Sequence, residues 1–285
     1  MAIYNLGSIN IDHVYRVPHL PRPGETLAAQ DYAMGLGGKG ANQSVAAARA
    51  GAHTYHIGAV GPEGVWARDM LAGYGVDVRH VAVGTTPTGH AIINVDPAAE
   101  NAIVTFAGAN RTPDAGTVAQ ALAQATPADT LLLQNETSAQ PQAATLAAAR
   151  GLRVVYSAAP FQVSALRAVL SHATMLVMNA GEAAEMRAAL GELPPVTLVI
   201  TRGAEGAEWL APGATPLFVP AFRVTPVDTT GAGDCFTGTL AAALDAGADP
   251  TQAMRRAAAA AAIQVTRPGA AQAMPSAAEV DAFLG

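Results

Sequence analysis

The chain has 285 residues, with 16 Lys plus Arg against 22 Asp plus Glu and a formal net charge of −6. That mildly acidic balance argues against a nucleic-acid or anionic-membrane surface as the main partner and points to a small ligand. A single cysteine, Cys235, excludes an internal disulfide, and the longest apolar stretch, 257–263, falls far short of the roughly 20 residues of a membrane span, so one main cytoplasmic domain is expected.

Short apolar runs at 3–6, 54–57, 130–133, 154–156, 175–178 and 198–201 have the length of buried strands. Helical stretches at 41–50, 65–73, 117–125, 141–149 and 181–190 lie between them. The alternation predicts an α/β fold, a doubly wound and mostly parallel sheet with helices on both faces. Two segments, 12–33 and 78–106, have a different texture. Alternating pieces such as 90–95 and 102–106 predict antiparallel strands, and their interleaving with the main domain predicts a small β-sheet lid at one edge.

In chain order, the first polar cluster is Gly7-Ser8-Ile9-Asn10-Ile11-Asp12, at the carboxyl edge of the first strand, where ligands of open parallel sheets collect. Asn10 and Asp12 alternate onto one side of an extended chain. They suit adjacent hydroxyls of a sugar, and equally a turn-forming cluster. Next comes Gly35-Leu36-Gly37-Gly38-Lys39-Gly40-Ala41-Asn42-Gln43, a literal G-x-G-x-x-G. It follows a polar stretch and has Tyr55 and His56 where a dinucleotide site needs an acid, and Gly40 stands where a Walker loop needs Ser or Thr. The segment is either a grip for a polyhydroxylated ligand or a helix-capping turn.

The most informative stretch is Asp228-Thr229-Thr230-Gly231-Ala232-Gly233-Asp234, which runs into an Ala-rich apolar helix. Glycines there let a phosphate approach amides at the positive end of the helix. A carboxylate in that position repels phosphate but can take the proton of a hydroxyl that attacks one. The expected chemistry is phosphoryl transfer to an alcohol. Cys235, beside that carboxylate, is expected to be a small buried thiol, and the seven histidines show no metal-ligand spacing.

Taken in order, Gly7-Ser8-Ile9-Asn10 with Asp12, Gly37 to Gln43, Gly108-Ala109-Asn110, Asn179-Ala180-Gly181-Glu182, Thr201-Arg202-Gly203 with Gly206, and Asp228 to Asp234 resemble the motifs of the PfkB carbohydrate kinases. The branch that phosphorylates ribose is the most similar. The resemblance implies that Asp234 is the catalytic base and that the amides of Gly231, Ala232 and Gly233 form an anion hole. It implies that Asn10, Asp12, Gly38, Lys39, Asn42 and Glu136 hold the sugar, and that Thr201, Gly203, Gly206 and Gly233 meet the nucleotide. Asn179 and Glu182 would organise the phosphates of ATP and a Mg2+ ion, largely through water.

The resemblance also implies a monovalent cation, K+, near Asp228, Thr230, Gln264, Arg267 and Gly269, although Ala273 stands where the family usually has serine. The implied activity is transfer of the γ-phosphoryl group of Mg-ATP to the 5-hydroxyl of ribose, with a homodimer formed through the lid. The alternatives are a family kinase acting on a nucleoside or another sugar, and a sugar-responsive binding protein without catalysis.

Overall fold

The computed structural model describes residues 1–98 and 100–285. The chain begins with β1 (Ala2–Leu6), β2 (Asn10–Arg16), β3 (Asp31–Gly37), α1 (Lys39–Arg49), β4 (His53–Val60), α2 (Val65–Gly73) and β5 (Asp77–Val83). It continues through β6 (Gly89–Val95), β7 (Asn101–Phe106), α3 (Ala115–Ala121), β8 (Thr130–Gln134), α4 (Gln140–Ala149), β9 (Arg153–Ser157), α5 (Val163–Val169) and β10 (Met175–Asn179). The last part holds α6 (Ala180–Leu190), β11 (Thr197–Thr201), β12 (Gly206–Leu210), β13 (Leu217–Pro220), α7 (Ala232–Asp245), α8 (Pro250–Gln264) and α9 (Ala277–Leu284).

Nine strands form the large sheet in the order β13-β12-β11-β10-β9-β8-β1-β4-β5, and every neighbouring pair from β11 to β5 is parallel. The strands nearest its middle are apolar without alternation because both faces are covered. On one face Leu131, Leu133, Val154 and Leu176 pack against Val118, Ala143, Ala147, Leu166 and Met186 of α3 to α6. On the other, Ile3, Leu132, Val155 and Val177 meet Phe236, Leu240, Met254 and Ala257 of α7 and α8. From β1 the chain order runs outward one way to β4 and β5, and the other way from β8 onward. The switch point of the sheet therefore lies between β1 and β8, where a crevice opens at the carboxyl ends of the strands.

The second sheet has the order β3-β2-β6-β7. Its bounds correct the expected lid. Asp77–Val83 pairs in parallel with β4 and is the edge of the large sheet, so 78–83 is not part of the small one. Nor is the small sheet wholly antiparallel, since β2 and β6 run parallel. Gly7, Ser8 and Ile9 link β1 to β2, so the two sheets meet at the crevice.

Candidate active site

Two close backbone approaches build the floor of the crevice. A Cβ on Gly40 would fall 2.3 Å from the Cα of Gly7, so the end of β1 and the start of α1 cross with only hydrogens between them. The amide of Ala41 donates to Ser8 O at 2.8 Å across this crossing. Similarly, a Cβ on Gly238 would lie 2.4 Å from Gln43 O, and its absence lets α7 settle against α1. That contact brings Asn42 and Gln43 of α1 to Asp234 of α7.

Asp234 is 9% exposed, in the first turn of α7, which begins after Gly231 at φ 79°. Its Oδ2 accepts from Asn42 Nδ2 at 3.0 Å and its Oδ1 from Gln43 Nε2 at 2.9 Å. Burial pushes its pKa up to about 6, against the Lys39 charge and the two amide bonds, which favour the anion; Glu136 adds to the rise. The result is a carboxylate whose proton affinity suits a general base near neutral pH.

The amides of Gly231, Gly233 and Asp234 have no acceptor among the described residues. The Ala232 amide, expected to be a free member of the anion hole, instead closes a turn onto Thr229 O at 3.2 Å. One step further along the turn is a cavity of about 580 Å³, lined by Thr201, Gly203, Gly206, Thr229, Ala232 and Gly233, with Phe222, Ala258 and Val265 among its apolar walls. A nucleoside phosphate fits a space of that size.

On the opposite side, Ser8 Oγ donates to Glu136 Oε2 at 2.5 Å, and the Lys39 amide donates to the same oxygen at 3.1 Å. Thus β1 and β8, the strands flanking the switch point, each deliver a residue to one spot. Asn10 Oδ1 accepts from Asn110 Nδ2 at 2.8 Å, and the Asn110 Oδ1 accepts from the Ile9 amide at 2.9 Å, which fixes the root of β2. Asp12 is pushed up to about 6 by burial and by the neighbouring Glu136 charge. Burial works against the Lys39 ammonium, yet Asp234, Glu136 and Glu182 hold its pKa above the ordinary value. Lys39 is therefore a cation held by three buried or half-buried carboxylates, and Asn42 Oδ1 is buried with no partner among the described residues. Gly38, at φ 95°, caps α1 inside this group.

Asn179 and Glu182 are not among the residues lining the cavity. They close on each other at the start of α6, with Glu182 N donating to Asn179 Oδ1 at 2.9 Å and Asn179 N donating to Glu182 Oε2 at 2.8 Å. This is a capping box, so one Glu182 oxygen already has a structural task. The residues expected around a monovalent cation do cluster, but two of their carbonyls already accept from a protein side chain. Gln264 Nε2 donates to Thr230 O at 2.8 Å and to Gly269 O at 3.0 Å. Arg267 points its guanidinium away, to Glu279 at 2.6 Å. Cys235 is buried and its thiol is pushed up to about 12 by that burial, so it is inert.

The motif that contains Gln43 implies no role for it, and the structure gives it one. Its Oε1 accepts from Gln134 Nε2 at 2.7 Å, and the same Gln134 nitrogen donates to Asn5 Oδ1 at 2.8 Å. Asn5 Nδ2 donates to Ser44 Oγ at 2.8 Å, and Ser44 meets His56 Nδ1 at 2.9 Å. His56 Nε2 lies 3.0 Å from Gly7 O. A carbonyl only accepts, so Nε2 carries the hydrogen and Nδ1 accepts from Ser44. Full burial lowers the His56 pKa to about 4 and keeps it neutral in this role. The chain of buried amides fixes the carboxylate of Asp234 to the floor of the crevice.

A base beside unpartnered helix-end amides, with a nucleotide-sized cavity on one flank and clustered carboxylates and amides on the other, defines a phosphotransferase with an alcohol acceptor. Residues 3–277 match the family model described as pfkB family carbohydrate kinase. The chain belongs to the pfkB family of carbohydrate kinases. It is 37% identical to the ribokinase of Haemophilus influenzae, over 98% of this chain and 97% of that one. It is 31% identical to the deoxyribokinase of Salmonella typhi, over 100% of this chain and 99% of the other. The structure of Arabidopsis thaliana ribokinase complexed with ribose and ATP superposes with a TM-score of 0.86 at 28% identity, covering 100% of this chain and 99% of that one.

Proposed function

We propose that this chain is an ATP-dependent ribose kinase, which transfers the γ-phosphoryl group of ATP to the 5-hydroxyl of ribose. The observation that carries the reading is Asp234, a buried carboxylate with a pKa near 6 beside the free amides of Gly231 and Gly233. In this reading Asp234 takes the proton of the attacking hydroxyl, while Asn42 and Gln43 hold its two oxygens in place. The Gly231 and Gly233 amides, with that of Asp234, receive the charge that develops on the phosphoryl oxygens. Lys39, which feels the Asp234 and Glu136 charges, adds a cation on the sugar side. Asn10, Asp12, Asn42, Gly38 and Glu136 offer amides, carboxylates and close backbone approach to the hydroxyls of a pentose. Thr201, Gly203 and Gly206 line the nucleotide side.

Among the described residues no group of three or more His, Cys, Asp or Glu is arranged to hold a metal. Glu182, whose Oε2 is engaged in the capping box, would meet Mg2+ arriving with the nucleotide through water, as expected of an ion bound chiefly by substrate phosphates. Mg2+ would supply charge neutralisation between the phosphates. The four strands of the small sheet form a lid whose closure excludes water from the activated phosphoryl group. Its outer strand β7 is exposed throughout, with Ile103, Val104 and Phe106 showing apolar surface, and this face suits pairing of two copies. Light scattering that gives the mass of one chain would end the dimer proposal. No helix among the described residues is long and apolar enough to cross a membrane.

The resemblance to a deoxyribokinase keeps one second reading open to test, a pentose lacking the 2-hydroxyl. A coupled ADP-release assay over ribose, 2-deoxyribose, fructose, adenosine and cytidine decides among them. The highest kcat/KM is expected with ribose. Preference for a nucleoside would overturn the assignment, and ribose binding without ADP release would mark a binding protein.

A further inference from the structure

Residues 228–230 and 264–273 carry the family's expected monovalent-cation site, and here protein donors already reach the carbonyls of Thr230, Gln264 and Gly269 and the carboxylate of Asp228. Gln264 ends α8 and is wholly buried. Its two N–H bonds go to the carbonyls of Thr230 and Gly269. Both oxygens of Asp228 are also taken, Oδ1 by the Thr230 amide at 2.9 Å and Oδ2 by the Gly269 amide at 2.9 Å. The main-chain oxygen of Gln264 accepts from the Arg267 amide at 3.0 Å, and Ala273 has no hydroxyl to offer. An –NH2 group converging on two carbonyls occupies the electrostatic position of a small cation, with directed bonds in place of a full charge.

The consequence for the anion hole follows from peptide planarity. The Thr230 carbonyl and the Gly231 N–H belong to one rigid unit and point in opposite directions, so holding the oxygen aims the hydrogen. The Gly231 amide is one of the free donors of the turn. We propose that the side-chain amide of Gln264 replaces a monovalent cation behind the anion hole, fixing the Thr230–Gly231 peptide so that this kinase works without potassium. Gln264 is a positioning residue, and the inference rests on the kinase reading above. Rotating the amide would set Gln264 Oε1, which has no partner among the described residues, against two carbonyl oxygens. Only a cation between the three could make that rotation stable, so the competing arrangement predicts activation of the unaltered enzyme by K+.

The test uses the full chain with ATP, Mg2+ and the sugar it turns over, in potassium chloride and in tetramethylammonium chloride of equal ionic strength. The unaltered enzyme is expected to have the same kcat and the same Tm in both salts. Gln264→Ala opens the carbonyl pair. Its kcat in tetramethylammonium chloride should drop about tenfold, a mis-aimed donor costing less than a deleted one, and potassium should restore it and raise its Tm. Gln264→Met keeps the volume without the donors, so its loss should persist in either salt.

Potassium activation of the unaltered enzyme would overturn the proposal, as would full activity of Gln264→Ala without potassium. Should Gln264→Ala fail to fold, the salt comparison on the unaltered enzyme and on Gln264→Met still decides. A lack of ADP release with every acceptor would refute the kinase reading, and the salt dependence of the Tm would then test the cation replacement alone.

Discussion

On the flank of the Gly231 turn proposed for the sugar, the walls are carboxylates and amides whose atoms are tied to one another. On the flank proposed for the nucleotide, the walls are largely Ala, Val and Phe side chains around an open cavity. A buried polar group that loses its partner costs more than a truncated apolar contact at a cavity edge, so the two flanks should respond unequally to change. In the proposed reaction, geometry is enforced on the side where a hydroxyl must be deprotonated. The nucleotide side needs only to hold a flat base and present phosphates to the turn.

The largest effect expected on this contrast is that of Asp234→Ala. Loss of a positioned general base should lower kcat by about 10² to 10⁴ while nucleotide affinity is retained, measurable by steady-state kinetics and by calorimetry with ADP. Unchanged turnover would remove Asp234 from the chemistry. The same variant has a stability signature. A carboxyl raised from 3.8 to about 6 binds its proton more tightly in the folded chain, so its contribution to stability is full below about pH 4 and lost as pH rises through 6. Chemical denaturation at several pH values should show a shallower fall in stability between those limits for Asp234→Ala than for the unaltered chain.

A smaller effect is expected from Gln43→Leu, which removes one of the two amide donors to Asp234. Activity should rise with pH as Asp234 ionises, and loss of a bond that favours the anion should move that rise from about 6 to higher pH. At neutral pH kcat should fall about tenfold, the equivalent of one charge-assisted hydrogen bond. A reduced kcat with an unmoved pH profile would make Gln43 a packing residue only. The smallest effect belongs to the other flank. GTP in place of ATP should change kcat/KM far less than 2-deoxyribose in place of ribose, because the cavity wall offers few side chains to read a base edge. A strict preference for ATP would show that backbone groups read the base and would erase the contrast.

The inner strands of the large sheet were legible because burial on both faces leaves uninterrupted apolar runs, as at 130–133 and 175–178. The edge strand Asp77–Val83 was not, since one side faces solvent and its Asp-Val-Arg-His-Val alternation imitates a lid strand. The strands β12 and β13 were also missed, being short, half exposed and rich in turn residues nearby. In the site, the Gly-rich turn and Asp234 could be read from their local order. The side-chain roles of Gln43 and Gln264 could not, because each acts on groups distant in the chain, Asp234 and Thr230, and one amide in an Ala-rich helix carries no spacing signal. The Ala232 amide was misjudged for a related reason, since whether a turn closes on its own carbonyl depends on tertiary placement.

The crossing of Gly7 over Gly40 bears on how the molecule could move. With backbones touching and a hydrogen bond sewn across them, the start of α1 and the end of β1 behave as one stiff joint, and no slack is available there for opening. In the proposed lid closure, any swing of the small sheet originates outboard of that weld, from Asn10 onward, with Asp234 and its tethers left stationary.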